Sequence, residues 1–172
     1  VNGSKPDVFA AQAIQYIPRL RRYARALTGD PASADDLVQD ALERALLKQD
    51  LWRPGSDLRA WLFTVMHNVF INQVRNAVAG RLVPIDDVAA HLPQAPDADR
   101  LEIRDLDAAL QALPEAQRMV VLLVGLEQMG YEEAARVLDV PVGTVMSRLS
   151  RGREQLRRLL QGPDVVSLKV VK

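Results

Sequence analysis

The chain of 172 residues contains no cysteine, so neither a disulfide nor a thiolate zinc site can hold it together. That absence fits a reducing compartment, and the cytoplasm is the expected location. Aromatic residues make up only 5% of the chain. A core must therefore come mostly from leucine, alanine and valine, a mixture that favours helices. Long apolar runs are missing too. The longest, Met119 to Gly125, falls far short of the roughly 20 residues that cross a bilayer, so no membrane insertion is expected. Val1 to Pro6 carries no apolar signal core and reads as a flexible lead. The histidines, His67 and His91, lie far apart and make no metal-ligand spacing. No glycine-rich phosphate loop, nucleophile elbow or paired catalytic constellation is present. Neither an enzyme nor a cofactor site is expected.

An excess of charge is also absent, since 22 Lys and Arg balance 22 Asp and Glu. The distribution is uneven, however. Five arginines against one glutamate lie between Gly143 and Arg158. Arg19, Arg21, Arg22 and Arg25 form a second basic cluster, while acid concentrates from Asp35 to Asp50 and from Asp86 to Asp107. Separate basic and acidic surfaces suit a chain that holds nucleic acid on one side and a basic protein on another.

The arginine-rich stretch has the clearest pattern. Tyr131 to Arg158 reads as a short helix, a tight turn and a second helix. In that second helix Val145, Leu149, Gly152 and Leu156 recur at helical spacing and face inward. Thr144, Ser147, Arg148, Arg151 and Arg158 fall on the opposite face. Small hydroxyls and guanidiniums on one exposed face match a DNA major groove, where arginine pairs bidentately with guanine. Ala134 and Ala135 permit close helix crossing, and Pro141 suits the first turn of the second helix. The pattern predicts a DNA-binding helix-turn-helix.

At this length there is room for one medium domain or two small ones. The predicted fold is all-α, with two small helical domains joined by a flexible linker. The first domain spans 7–79, the linker 80–100, the helix-turn-helix domain 101–161, and a flexible tail 162–172. In the first domain, an opening helix ends at Gly29 and Ser33 starts a second in a near capping box. Ala34, Leu37, Val38, Ala41, Leu42, Ala45 and Leu46 make its apolar stripe. Asp35, Asp36, Gln39, Asp40 and Glu43 lie mostly off that stripe. After a turn-rich loop from Trp52 to Asp57, a longer helix runs from about Leu58 to Ala79. Leu58, Trp61, Leu62, Val65 and Val69 face inward, and Thr64, Asn68, Asn72 and Arg75 form a polar strip. Two asparagines in a helix interior suggest a use, since asparagine is a poor helix former. They can read bases, and Trp52 can stack on one or cap the core. Taken alone, solvation is the better account of both the acidic and the polar strip. Gly80 to Asp99 has three prolines, several acids and no period. In the second domain one helix stops before Pro114 and another runs from about Glu115 to Gln128.

Three stretches together, SADDLVQDALERAL, LRAWLFTVMHNVFINQVR and LPEAQRMVVLLVGLEQMGYEEAARVLDVPVGTVMSRLSRGREQL, resemble a bacterial sigma factor of the extracytoplasmic-function (ECF) group. The wording PVGTVMSRLSR is similar to its general-stress branch. The resemblance implies a sigma-2-like first domain and a sigma-4-like second. It implies that Asp36, Gln39 and Asp40 contact the β′ clamp helices of core RNA polymerase, which also offers its β flap. Asn68, Asn72 and Arg75, with Trp52 in the loop, would open and hold the −10 element. Ser147 and Arg151 would read the −35 element, with Thr144, Arg148 and Arg153 on phosphates. The implied partners are core polymerase, promoter DNA and an anti-sigma factor. Met146 departs from relatives, which often carry arginine there. Two rival readings remain: a stand-alone helix-turn-helix regulator, and a sigma mimic that titrates an anti-sigma factor.

Overall fold

The computed structural model describes residues 5–80 and 98–161. These form eight α-helices and no strand among the described residues. Most of the linker and the whole tail expected from sequence lie outside them. The flanking helices take in both margins of the expected linker, since one reaches Gly80 and the next starts at Ala98.

The opening segment is two helices where the sequence suggested one. Helix α1 spans Lys5–Ile14 and α2 spans Ile17–Thr28. The cause is Pro18, which sits in the first turn of α2. Its ring and missing N–H are tolerated there but would break the interior of a continuous helix. Helix α2 ends at Gly29, whose φ of 72° supplies the left-handed cap. Helix α3, Pro31–Leu47, begins two residues earlier than Ser33. Its cap is Asp30, whose carboxylate accepts hydrogen bonds from the backbone N–H and hydroxyl of Ser33, both at 2.8 Å. Pro31 follows at the first helical position. A short 3-10 turn and a loop lead to α4, Leu58–Gly80. Asp57 caps it by accepting from Ala60 N at 3.0 Å.

The stripe on α3 buries Ala34, Leu37, Val38, Ala41 and Ala45. Leu46 instead is 47% exposed. At about 100° per residue it lies about 120° around from Ala34, beyond the arc its neighbours cover. On α4, Leu58, Leu62, Val65 and Val69 are buried as expected, with Phe63, Met66 and Phe70 beside them. Helix α4 thus buries more than one face and forms the spine of the first unit.

The second unit consists of α5 (Ala98–Gln111), α6 (Glu115–Val121), α7 (Tyr131–Leu138) and α8 (Val142–Gln161). The helix expected from Glu115 to Gln128 is not uniform. After Val121 it widens into a π turn over Leu122–Leu126. Glu127 N donates to Leu122 O at 3.0 Å across that wider ring. Gln128 then takes a left-handed φ of 55°, which ends the helix.

The two units share one continuous hydrophobic core. Polar ties cross between them as well. Gln111 Nε2 donates to Ala26 O at 2.9 Å, and its side chain lies where a Cβ on Gly29 would stand, within 2.6–2.9 Å. Glycine suits that corner because its φ of 72° would strain any other side chain, while the Gln111 side chain could shift aside. Arg118 reaches Gln111 in turn, and burial holds the Arg118 pKa below its ordinary value.

Candidate nucleic-acid interface

Helices α7 and α8 meet across a tight turn. Ala134 and Ala135 are buried where they cross. Asp139 provides the turn in a left-handed conformation with φ of 52°. Pro141 stands just before α8, and its carbonyl accepts from Thr144 N at 2.9 Å and Val145 N at 3.2 Å. It therefore precedes the first turn, one position earlier than expected. Val145, Leu149 and Gly152 are buried and Leu156 is half-buried. Gly152 permits the close approach of α6: a Cβ there would meet Val121 Cγ2 at 2.7 Å.

With that face inward, Arg151 and Arg153 are exposed, and Thr144, Ser147 and Arg148 are half-buried. The Ser147 hydroxyl donates to Thr144 O at 3.1 Å, leaving its lone pairs outward. Arg157 and Arg158 pair with Glu154 at 2.7 and 3.4 Å. Arg148, Arg151 and Arg153 have no ion pair among the described residues. Five guanidiniums on one helix, three of them unneutralised, make an anion-seeking surface on a helix shaped for a groove.

On α4, Asn68, Asn72 and Arg75 are exposed along one side. The Thr64 hydroxyl is engaged with its own helix, donating to Ala60 O at 2.9 Å. Asn68, Asn72 and Arg75, without Thr64, line a cleft of about 480 Å³ with Arg44, Lys48 and His67. Leu138, the last residue of α7, and Asp139, in the turn after it, form its opposite wall. His67 is desolvated there, which lowers its pKa, and Asp139 offsets part of that shift. Its Nδ1 is buried without a hydrogen-bond partner.

Trp52 does not belong to this surface. It is 6% exposed, with its ring edge-on to Phe9 at 5.6 Å between centroids. Phe9 also meets Trp61 at 5.7 Å. This aromatic cluster draws the indole into the core beneath the loop, so it is closed to base stacking. The exposed part of that loop is Arg53 to Asp57.

The acidic strip on α3 is open to solvent at Asp35, Asp36, Gln39, Asp40 and Glu43. Gln39 Nε2 donates to Glu43 at 3.2 Å, and Gln73 Nε2 of α4 donates to Asp40 at 2.8 Å. Asp35 faces Arg21 at 3.7 Å. Asp36 has no ion pair among the described residues.

One polar centre was missed in the sequence. Glu127, fully buried, accepts from Arg19 Nε at 2.8 Å and from Arg22 Nη2 at 2.9 Å. Its backbone carbonyl accepts from Arg19 Nη2 at 3.2 Å and Arg59 Nη1 at 3.3 Å. Arg59 Nη2 also pairs with Glu133 at 2.5 Å. The Tyr23 hydroxyl is held well above its ordinary pKa by burial, with the Glu127 charge adding to the effect. The available signal was a lone acid inside the apolar run before Tyr131.

No cluster of three or more His, Cys, Asp or Glu occurs among the described residues. Nor is any described helix long and apolar enough to cross a membrane.

These features define a helical protein that carries a helix-turn-helix with an arginine-rich second helix, and an exposed acidic strip on α3. The comparisons with known proteins place it further. Residues 14–67 match the sigma2 domain of PhyR, and residues 103–156 match sigma-70 region 4. The chain is 39% identical to the ECF RNA polymerase sigma factor EcfG of Rhodopseudomonas palustris, over 93% of this chain and 90% of that one. Among solved structures it is similar to the sigma factor RpoE in complex with the anti-sigma factor NepR from Bartonella quintana. There the identity is 36%, the TM-score 0.74, and the coverage 90% of this chain and 98% of that one. CnrH, solved with the cytosolic domain of CnrY, is 27% identical with a TM-score of 0.67, covering 89% and 87%. The chain belongs to the ECF RNA polymerase sigma factors.

Proposed function

We propose that this chain is a dissociable promoter-specificity subunit that binds core RNA polymerase and directs initiation at −35 and −10 elements. One observation carries the reading. An unneutralised arginine face on α8, a polar strip on α4 and an open acidic strip on α3 are presented by a single sigma-family frame. In this reading residues 7–79 bind polymerase and the −10 element, 101–161 bind the −35 element, and 80–100 tether them. Asp36, Gln39 and Asp40 dock on the β′ clamp helices, and the second unit meets the β flap. Arg151 and Ser147 read bases, while Thr144, Arg148 and Arg153 hold phosphates. Asn68 and Asn72 take unpaired bases of the −10 strand and Arg75 its backbone, at a few kcal/mol for each base unstacked. Trp52 supports the loop from beneath rather than stacking. The role is binding rather than catalysis, exercised in the cytoplasm. An anti-sigma factor is the expected regulator, by analogy with RpoE, which was solved in complex with one.

A second reading has one observation behind it. The first unit matches the sigma2 model of PhyR, and the solved PhyR is described as an anti-anti-sigma factor. A sigma mimic would titrate an anti-sigma factor without starting transcription. The open arginine face on α8 favours the sigma reading, because a decoy has no use for it. Run-off transcription with core enzyme on a genomic fragment library separates the two. Specific initiation is expected, and its absence on every template without inhibitor overturns the proposal.

A further inference from the structure

We infer that Met146 is a base-reading residue of α8, whose thioether, with the ring of Tyr131, receives a thymine methyl in the −35 duplex. The inference rests on the proposed reading of α8 as the −35 helix and deepens it. Met146 is 53% exposed, more than any other large apolar side chain described on α5 to α8. It stands in the N-terminal part of α8, the part that meets base edges in a helix-turn-helix. Gly143, Met146, Ser150, Arg153 and Arg157 are all exposed, and their spacing of three or four residues sets them in one row. Tyr131, 38% exposed, opens α7. Met146, Tyr131, Ser150 and Arg153 line one surface cleft of about 390 Å³.

The chemistry of this pair selects its target. A duplex presents phosphates, sugars and polar base edges, which arginine and serine satisfy. The thymine 5-methyl is the apolar group that the major groove displays. A thioether on three rotatable bonds adjusts to it readily. A phosphate gives Met146 nothing to hold, since the side chain has no donor. Labour is then divided around the helix. Ser147 lies about 100° around from Met146 and reads by hydrogen bonding, so the two address neighbouring base pairs. Arg153, exposed in the same row and without an ion pair among the described residues, holds a phosphate beside the methyl. One part of promoter choice thus ignores hydrogen bonds: thymine is preferred at one place because it carries a methyl. Burial of a single methyl is worth about fourfold in affinity.

Deoxyuridine makes the test direct, because it keeps every hydrogen-bonding group of thymine and lacks the methyl. Core enzyme carrying the full chain first selects −35 segments from a promoter library randomised there, scored by run-off initiation. Thymine should be enriched at one position, on either strand. In competition binding by the holoenzyme, uracil at that position should weaken the selected promoter about fourfold. The penalty should vanish for Met146→Ala and shrink for Tyr131→Ala. Alanine is the strongest helix former, so the change at exposed position 146 leaves α8 intact. No enriched thymine, equal affinity for the two bases in wild type, or an undiminished uracil penalty in either variant overturns the methyl contact. Initiation on the selected templates is read on its own, so the sigma assignment stands or falls independently of Met146.

Discussion

Gly152→Ala tests the packing that aims the recognition helix. An alanine Cβ at 152 would stand 2.7 Å from Val121 Cγ2, with Gln117 Cβ at 3.5 Å. The second contact is ordinary, but the first is a clash. Val121 cannot easily yield, because a β-branched side chain in a helix has one strongly preferred rotamer. Overpacking of this kind costs about 1–3 kcal/mol. Alanine also gains about 1 kcal/mol over glycine in a helix interior. The difference leaves a net loss of roughly 1 kcal/mol. A double-mutant cycle with Val121→Ala isolates the clash. With Val121 shortened, Gly152→Ala should become neutral or stabilising, giving a coupling of about 1–3 kcal/mol. Urea denaturation followed by far-ultraviolet circular dichroism reads the stability. Tryptophan fluorescence serves less well, since Trp52 and Trp61 both lie in the first unit. A gain of about 1 kcal/mol from Gly152→Ala in both backgrounds would refute the argument, because propensity alone would then account for it. Affinity for duplex −35 DNA should fall with the single change and recover in the double variant.

Asp36→Arg should weaken assembly with core enzyme, measured by fluorescence anisotropy, while binding to −35 duplex stays unchanged. Equal loss in both assays would remove the docking role. Arg151→Ala should cost about 1–3 kcal/mol on the cognate −35 element and much less on scrambled sequence; an equal loss on both makes it a phosphate contact. His67 has a folded pKa below 6.5 because of desolvation. The unfolded chain therefore binds the extra proton first, so stability is full above about 6.5 and falls as pH drops toward the folded value. His67→Gln should flatten that acid-side loss in urea titrations at pH 5 and 7, and an unchanged slope would show that His67 titrates alike in both states.

Local features were legible and non-local ones were not. The recognition helix announced itself because its inward face is set by spacing within one helix, and Val145, Leu149 and Gly152 are buried as that spacing demands. The stripes on α3 and α4 followed for the same reason, apart from Leu46 at the edge of its arc. Asp30 was passed over as a cap in favour of Ser33, since both residue types suit that position and only the backbone decides. Trp52 was open between stacking and capping the core, and its partner Phe9 lies 43 residues away, which no local pattern reports. The basic cluster at Arg19 and Arg22 read as an outward surface. Instead it reaches Glu127, more than 100 residues on. The continuous core between the two units was equally invisible, because hydrophobic periodicity shows that a face is buried but not against what.

The π turn also bears on how such chains tolerate insertions and deletions. It is a helix turn with one residue to spare. Shortening the segment at Gly125, an exposed position where a side chain would meet nothing within 4 Å, would let the coil wind regularly. The wide turn already absorbs that residue, so everything after it would keep nearly its present facing. Glu127 would still meet Arg19 and Arg22. Segment length is therefore free to change by one residue at this point, where the same loss in a regular stretch of helix would turn all that follows by about 100°.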